Sequence, residues 1–518
     1  MLSFILILVI TILASFLPEK KLQPAKPKHQ RNTKILQSLL VTQVFLVLTL
    51  IVQRPIFSGL AILVFLIILV AVSNAKFKAL REPMVFSDFA MFAQAFKHPR
   101  LYFPFLGLAP VIIAPLLIIG LIILVLSLEP AMSFTFSRLF ITLIAITALY
   151  YISEKEALKL DLTNNPIQDN RKYGLQNSLF AYFIYARSDE HTEAIYQTLE
   201  AAPFLFKGDN FNNTPPPLFT LFKDSKPNIT VIQSESFFDV RRLHPAIKRK
   251  VLENYDTICA ESIQYGKLKV PAWGANTMRS EFAFLTGIKY ADMGFYRYYP
   301  YQFMHQFALT SIASTLRDLG YYCICIHPHH ASFFGRDRIF PKMGFDEFID
   351  IGSFEGDESF GPFISDKAVT DKILELTEQL DKKPLFIFAI TMENHGPLHL
   401  EKTTFKERQA FYTDPLAKDL PKNLNDLTVY LRHLKNADQM IKTLTNAYRK
   451  SDKETSLCFY GDHVPSMPQV YDDTEYEDGD SDYFIWHSKS SSTTKKEALQ
   501  IEKLAVRTML ARISSLRR

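Results

Sequence analysis

At 518 residues, 48% of them hydrophobic and with a formal net charge of +5, the chain is too long for one ordinary domain. Its basic residues sit in separate loops and are not interleaved with aromatics along one face, which excludes a surface that tracks nucleic acid. Cys259, Cys323, Cys325 and Cys458 form no CxxC pair and have no regular spacing, which excludes a zinc knuckle and a disulfide framework.

Apolar runs crowd into residues 1–152, so a membrane domain of about five helices is expected there. Residues 2–17, 35–52, 56–75, 106–128 and 136–152 are the segments apolar enough to span, the first and last close to the lower limit of about 17 residues. The first lacks the basic start and small-residue cleavage site of a signal peptide and is read as an uncleaved span. Residues 82–100, with Pro83, Asp88, Phe89, Phe92 and Phe96, are too polar to cross and space their aromatics as an interfacial helix does. A polar connector, 153–225, follows and ends near Pro215, Pro216 and Pro217, with 179–185 resting on the bilayer. Loops holding Lys20, Lys21, Lys26, Lys28, Arg31 and Lys34, and holding Lys76, Lys78, Arg81, Lys97 and Arg100, are both cytoplasmic under the positive-inside bias. With five spans, that bias leaves the soluble part inside.

Residues 226–518 alternate short apolar strands with amphipathic helices, the pattern of an α/β sheet flanked by helices. Strands are expected at 229–233, 321–326, 385–390 and 457–460, each a nearly continuous apolar run suited to burial on both faces. Helical stripes run through Phe307, Ile312, Leu316 and Leu319 up to Gly320, through Val369, Ile373, Leu376 and Leu380, and across 427–444. The acidic run 472–482 lacks the ordered ligands of an EF-hand and reads as a solvated loop. The basic tail with Arg512, Arg517 and Arg518 reads as exposed.

A polar residue follows each strand: Glu235, His327, His395, and Asp462 with His463. Ligands of parallel α/β sheets bind beyond the carboxyl ends of the strands, so these residues are expected on one rim. Singly, a glutamate after a strand is most often a cap, and an Asp-His pair is often a polar turn. Together with the hydroxyl of Thr277 they make a set of hard and borderline ligands, as for a metal-activated nucleophile. Such an N/O set suits manganese or zinc better than calcium or copper.

Four stretches then resemble the lipoteichoic acid synthase and phosphoglycerol transferase family, in the sulfatase-like branch of the alkaline phosphatase superfamily. NITVIQSESFFD resembles its first metal-ligand motif, which makes Glu235 a ligand. WGANTMRSEFAFLTG resembles its nucleophile segment, with Thr277 attacking and Glu281 four residues on. FYGDHVP matches its Asp-His metal pair in Asp462 and His463. HPHHASFFGRDRIFPKMGFDEFID resembles its head-group segment, with His327, Arg336, and Phe334 where the family has tryptophan, while TMENHGP supplies His395.

The resemblance implies a sulfatase-like catalytic domain at 226–518, manganese as cofactor with zinc or magnesium as alternatives, and a multi-pass protein of a bacterial cell membrane with that domain outside. On the last point it opposes the charge bias and is preferred to it. It also implies a double displacement in which Thr277 takes phosphoglycerol from phosphatidylglycerol and passes it to an envelope glycan or polymer. Arg336 would grip a nonbridging phosphate oxygen with its planar fork, and His327 and His395 would donate to phosphate or head-group hydroxyls. Phe334 keeps a phosphoethanolamine transferase open. Thr277 without a following CxPxR or SxPxR speaks against a sulfatase reaction, and a hydrolase or a noncatalytic lipid- or glycan-binding scaffold remain the other readings.

Overall fold

The computed structural model describes residues 2–28, 30–89, 119–204 and 226–516, apart from positions 121, 124, 134, 357, 381 and 490–493. The expected span at 106–128 falls mostly outside the described residues, as do Phe92, Phe96 and the prolines at 215–217. The chain divides into two compact units, Met1–Glu193 and Ala194–Arg518.

In the first unit, four helical stretches among the described residues are long and apolar enough to cross a membrane: Leu2–Lys21, Arg31–Val52, Pro55–Leu80 and Phe136–Leu158. Their helices are α1 (Leu2–Ser15), α2 (Arg31–Val52), α3 (Pro55–Leu80) and α4 (Phe136–Leu158). Pro55 opens α3 where its missing N–H costs nothing, and the Glu129 carboxylate accepts the free N–H groups of Ile56 and Phe57 at 2.7 and 2.8 Å. Within the stretch expected to connect the two parts lies α5 (Leu175–Tyr185). Its Leu175 and Leu179 are buried with Val41, Phe45 and Leu66, so this segment packs on protein and does not merely lie on a bilayer.

In the second unit, nine strands among the described residues form one sheet. They are β1 (Asn228–Ser234), β2 (Gln264–Lys269), β3 (Tyr322–Ile326), β4 (Glu347–Ile349), β5 (Leu385–Ile390), β6 (Thr455–Gly461), β7 (Ser481–His487), β8 (Lys495–Lys496) and β9 (Leu499–Gln500). The spatial order is β8-β2-β7-β6-β1-β5-β3-β4, with β9 also paired to β2. The core is parallel: Ile232 of β1 lies opposite Ala389 of β5 and Phe459 of β6. β7 runs antiparallel to both β6 and β2. All four expected strands are present. The acidic run departs from expectation, because its end enters β7, where Asp482 is buried against Arg242 at 3.0 Å.

Alternation along the strands sorts two cores. Ile232, Ala389 and Phe459 face the long α9 (Leu424–Lys450), whose Leu427, Leu431, Leu434 and Ile441 repeat at helical spacing. On the opposite face, Phe284 of α6 (Thr277–Thr286) stacks on Phe388 and Tyr460, with centroids 5.7 and 5.0 Å away. The stripe expected from Phe307 forms only α7 (Ile312–Asp318), because Ser311 makes a capping box with Ser314 and fixes the helix start there. The next stripe forms α8 (Asp366–Gln379), capped by Ser365.

Candidate active site

β1 and β6 are neighbours, so the residues that follow them, Glu235 and Asp462, emerge side by side. Gly461 makes that closeness possible: a Cβ there would stand 1.8 Å from the carbonyl oxygen of Phe237. Ser236 adopts a left-handed φ of 56°, uncommon for a residue with a side chain. Two hydrogen bonds hold it there, one from its N–H to Asp462 Oδ1 at 2.9 Å and one from its hydroxyl to Glu235 Oε1 at 2.9 Å.

Ligand atoms of Glu235, Asp462 and His463 lie within 4.8 Å of one another, and all three residues are buried. His463 Nδ1 is 3.0 Å from the Val464 carbonyl oxygen, which only accepts, so the proton sits on Nδ1. That turns the lone pair of Nε2 toward Asp462 Oδ2 at 3.3 Å and Glu235 Oε1 at 3.7 Å. Neither Nε2 nor Asp462 Oδ2 has a hydrogen-bond partner. Burial, and after it the charge of Asp462, pushes the Glu235 carboxyl up to about 8. Two buried acceptors without a donor, His463 Nε2 and Asp462 Oδ2, converge with the Glu235 carboxyl on one point, a set that fits a divalent cation.

Thr277 opens α6 and is partly exposed, whereas every later residue of that helix is buried. Two hydrogen bonds bracket it and tie it to the ligand segment: Gly274 N–H to the Val464 carbonyl at 2.9 Å, and Ser280 Oγ to the Asp462 carbonyl at 2.5 Å. Thr277 therefore opens the helix on a segment tied to the ligand segment, at an N-terminus where backbone N–H groups and the helix dipole favour an anion.

One turn along α6, Glu281 reaches the sequence-expected head-group residues. Arg336 gives Nε to Glu281 Oε1 and Nη2 to Oε2, both at 2.9 Å, and both side chains are buried. Glu281 also accepts from Tyr301 at 2.5 Å and from Gln233 at 3.3 Å, and Gln233 in turn accepts from Tyr460 at 2.5 Å. Nε and Nη2 of Arg336 thus hold Glu281, and Nη1 faces His327. His327 packs beside Arg336. Its Nδ1 faces the Ile390 carbonyl at 3.2 Å, which leaves Nε2 to accept from Arg336 Nη1 at 3.3 Å. Burial, with the Arg336 charge adding to it, holds His327 neutral.

Phe334, left-handed at φ 58°, packs on Phe333 and sits 5.2 Å from the Arg336 guanidinium carbon, a cation–π contact. His395 is half-buried, with Nδ1 2.6 Å from the Gly396 carbonyl and its ring edge-on to Phe363. Burial lowers its pKa while the charge of Asp462 pulls the other way. Glu235, Asp462 and His463 thus form one group, to which the segment carrying Thr277 is hydrogen-bonded. His327, Phe334 and Arg336 form a second, joined to the first through Glu281 on α6.

Sequence reasoning passed over Ser236, Gly461, Ser280, Gln233 and Tyr301, and assigned Glu281 no task. Only the four-residue spacing of Thr277 and Glu281, which sets them on one helix face, was a signal in the sequence.

A family model described as Sulfatase matches residues 227–508. The capsular polysaccharide biosynthesis protein RkpI of Rhizobium meliloti (strain 1021) is 28% identical over 491 residues, which cover 90% of this chain and 85% of that protein. Lipoteichoic acid synthase 1 of Bacillus subtilis (strain 168) is 24% identical over 148 residues, 28% of this chain and 21% of the relative. Among solved structures, the integral membrane protein lipooligosaccharide phosphoethanolamine transferase A (EptA) from Neisseria meningitidis superposes with a TM-score of 0.57 at 12% identity. That match covers 98% of this chain and 95% of the other, a likeness of fold.

Proposed function

The chain belongs to the sulfatase family, and from that premise we propose that it is a membrane-bound phosphotransferase that moves phosphoglycerol from phosphatidylglycerol to an envelope glycan or polymer. The carrying observation is the buried trio Glu235, Asp462 and His463, with the orphaned atoms His463 Nε2 and Asp462 Oδ2, on segments hydrogen-bonded to the one that carries the Thr277 hydroxyl at a helix N-terminus. The names of the relatives, a capsular polysaccharide biosynthesis protein and a lipoteichoic acid synthase, support an envelope acceptor.

Glu235, Asp462 and His463 would hold the cation, manganese in this reading and otherwise zinc or magnesium. When bound, it lowers the pKa of a coordinated hydroxyl and polarises a phosphoryl oxygen. Thr277 Oγ attacks phosphorus, the P–O bond to diacylglycerol breaks with the threonine proton passing to the departing oxygen, and the threonine carries the phosphoglyceryl group. An acceptor hydroxyl then attacks the same phosphorus, and Thr277 is released with the proton that hydroxyl gives up. The α6 N-terminus faces the developing phosphate charge, Arg336 offers the Nη1 hydrogen that His327 does not take, and neutral His395 offers Nε2 to a hydroxyl of the head group. The apolar helices keep this unit tethered at a bilayer and so raise the effective concentration of a lipid donor. The catalytic unit lies outside the cytoplasm of a bacterial cell in this reading.

Phe334, in place of tryptophan, supports a second reading in which the group carried is phosphoethanolamine. Both are tested by incubating the full-length protein, with and without manganese, with head-group-labelled phosphatidylglycerol or phosphatidylethanolamine. Metal-dependent diacylglycerol release and protein labelling are expected with phosphatidylglycerol and are abolished in Thr277→Ala. Release from phosphatidylethanolamine alone selects the second reading, and no release from either lipid leaves a noncatalytic scaffold.

A further inference from the structure

Between β5 and the exposed surface, the loop 391–397 carries two residues that face the site. Thr391 Oγ1 accepts the Glu235 N–H at 3.0 Å, and the half-buried His395 ring lies within the influence of the Asp462 charge. Between them, Glu393 points away from the site and is buried. Its Oε2 accepts the N–H of Asp366, the first residue of α8, at 2.7 Å. Its Oε1 accepts from Asn436 Nδ2 at 2.6 Å and from His433 Nδ1 at 3.1 Å, both on α9.

His433 is buried with a carboxylate on each nitrogen, Glu393 on Nδ1 and Glu401 on Nε2 at 2.8 Å. Glu401 is shared with Arg432 at 2.9 Å, and the Phe360 ring lies edge-on to His433. Two acceptors on opposite ring nitrogens require both to carry protons, so the ring is an imidazolium. Asp366, the remaining charged neighbour, has a buried carboxyl hydrogen-bonded to Thr391, and burial followed by the Glu393 charge raises its pKa. One carboxylate thus fastens a single loop to the start of one helix and the middle of another.

We propose that Glu393, gripped by His433 and Asn436, is a positioning residue that clamps the 391–397 loop so that His395 stands at the substrate pocket. That His395 meets the head group rests on the transfer reading above; the clamp itself does not. Losing the clamp weakens substrate binding more than chemistry, because Thr277 and the three ligands lie on other elements. Burial pulls the His433 pKa down, but its hydrogen bonds to Glu393 and Glu401 outweigh that and hold it at about 9. The clamp therefore loosens as pH rises through that value, because a neutral ring can donate to only one of its two carboxylates.

The test uses full-length Glu393→Gln, nearly isosteric, and His433→Gln. Hydrogen–deuterium exchange is followed in peptides covering 391–397 and in peptides from β1 and β6. Donor cleavage is followed from pH 7 to 10. Expected are exchange about tenfold faster at 391–397 with β1 and β6 unchanged, a KM raised about tenfold, and kcat within about threefold of wild type. The wild-type KM rises above pH 9, and Glu393→Gln lacks that rise. Unchanged exchange at 391–397 overturns the clamp, as does a loss of kcat with KM unaltered, the mark of fewer folded molecules. Faster exchange in a protein whose wild type cleaves neither phospholipid upholds the clamp and overturns the transfer reading.

Discussion

Arg336 shows how a residue chosen for one task is held by another. A guanidinium that is 1% exposed, facing a carboxylate that is 0% exposed, stays charged only because both ends of the fork are paired. Removing one partner leaves the other charge buried alone, at a cost of about 3–5 kcal/mol. Glu281→Gln is expected to lower the unfolding free energy of the catalytic unit by roughly that amount and to abolish transfer. Adding Arg336→Met is expected to restore most of the stability and none of the activity, because the buried charge is gone and so is Nη1. Denaturant unfolding of both variants beside a turnover assay checks the pair. If Glu281→Gln unfolds like wild type, the ion pair is not what holds Arg336.

At the scale of elements, the site depends on how closely the ends of β1 and β6 approach. Gly461→Ala places a methyl group against the Phe237 carbonyl, and the strands must part to admit it. Expected are a loss of about 1–3 kcal/mol and a metal affinity reduced at least about tenfold, measured by denaturant melts and metal titration. Unaltered metal affinity would show that the ligands tolerate the shift. The parallel strands were legible in sequence because burial on both faces leaves an unbroken apolar run, as in the ITVI of β1. β2 was not, since it alternates Gln264, Gly266 and Leu268 inward with Lys267 and Lys269 outward. β7 was hidden by the acidic residues that precede it. The metal trio was legible because each ligand follows a strand end. The pairings of Arg336 with Glu281 and of His433 with Glu393 were not, because they join residues 55 and 40 positions apart, and only the tertiary structure fixes such contacts.

At the scale of the whole molecule, charge and chemistry disagree about sidedness. Four crossings return a chain to the side it started from, and a fifth reverses it; the fifth expected span, 106–128, lies mostly outside the described residues, so parity alone decides nothing here. The basic loops around Lys20 to Lys34 and Lys76 to Arg100 favour a cytoplasmic catalytic unit if five spans cross. The transfer proposed above, from a phospholipid to an envelope glycan or polymer, needs its pocket outside. The chain itself supplies the means of deciding. Cys259, Cys323, Cys325 and Cys458 are all buried, so one cysteine introduced at exposed Lys406 is the only thiol a maleimide reaches in the folded protein. A membrane-impermeant maleimide added to intact cells is expected to label Lys406→Cys as fully as it does after lysis. Labelling only after lysis would place the catalytic unit in the cytoplasm, return the decision to the charge bias, and exclude an extracytoplasmic acceptor.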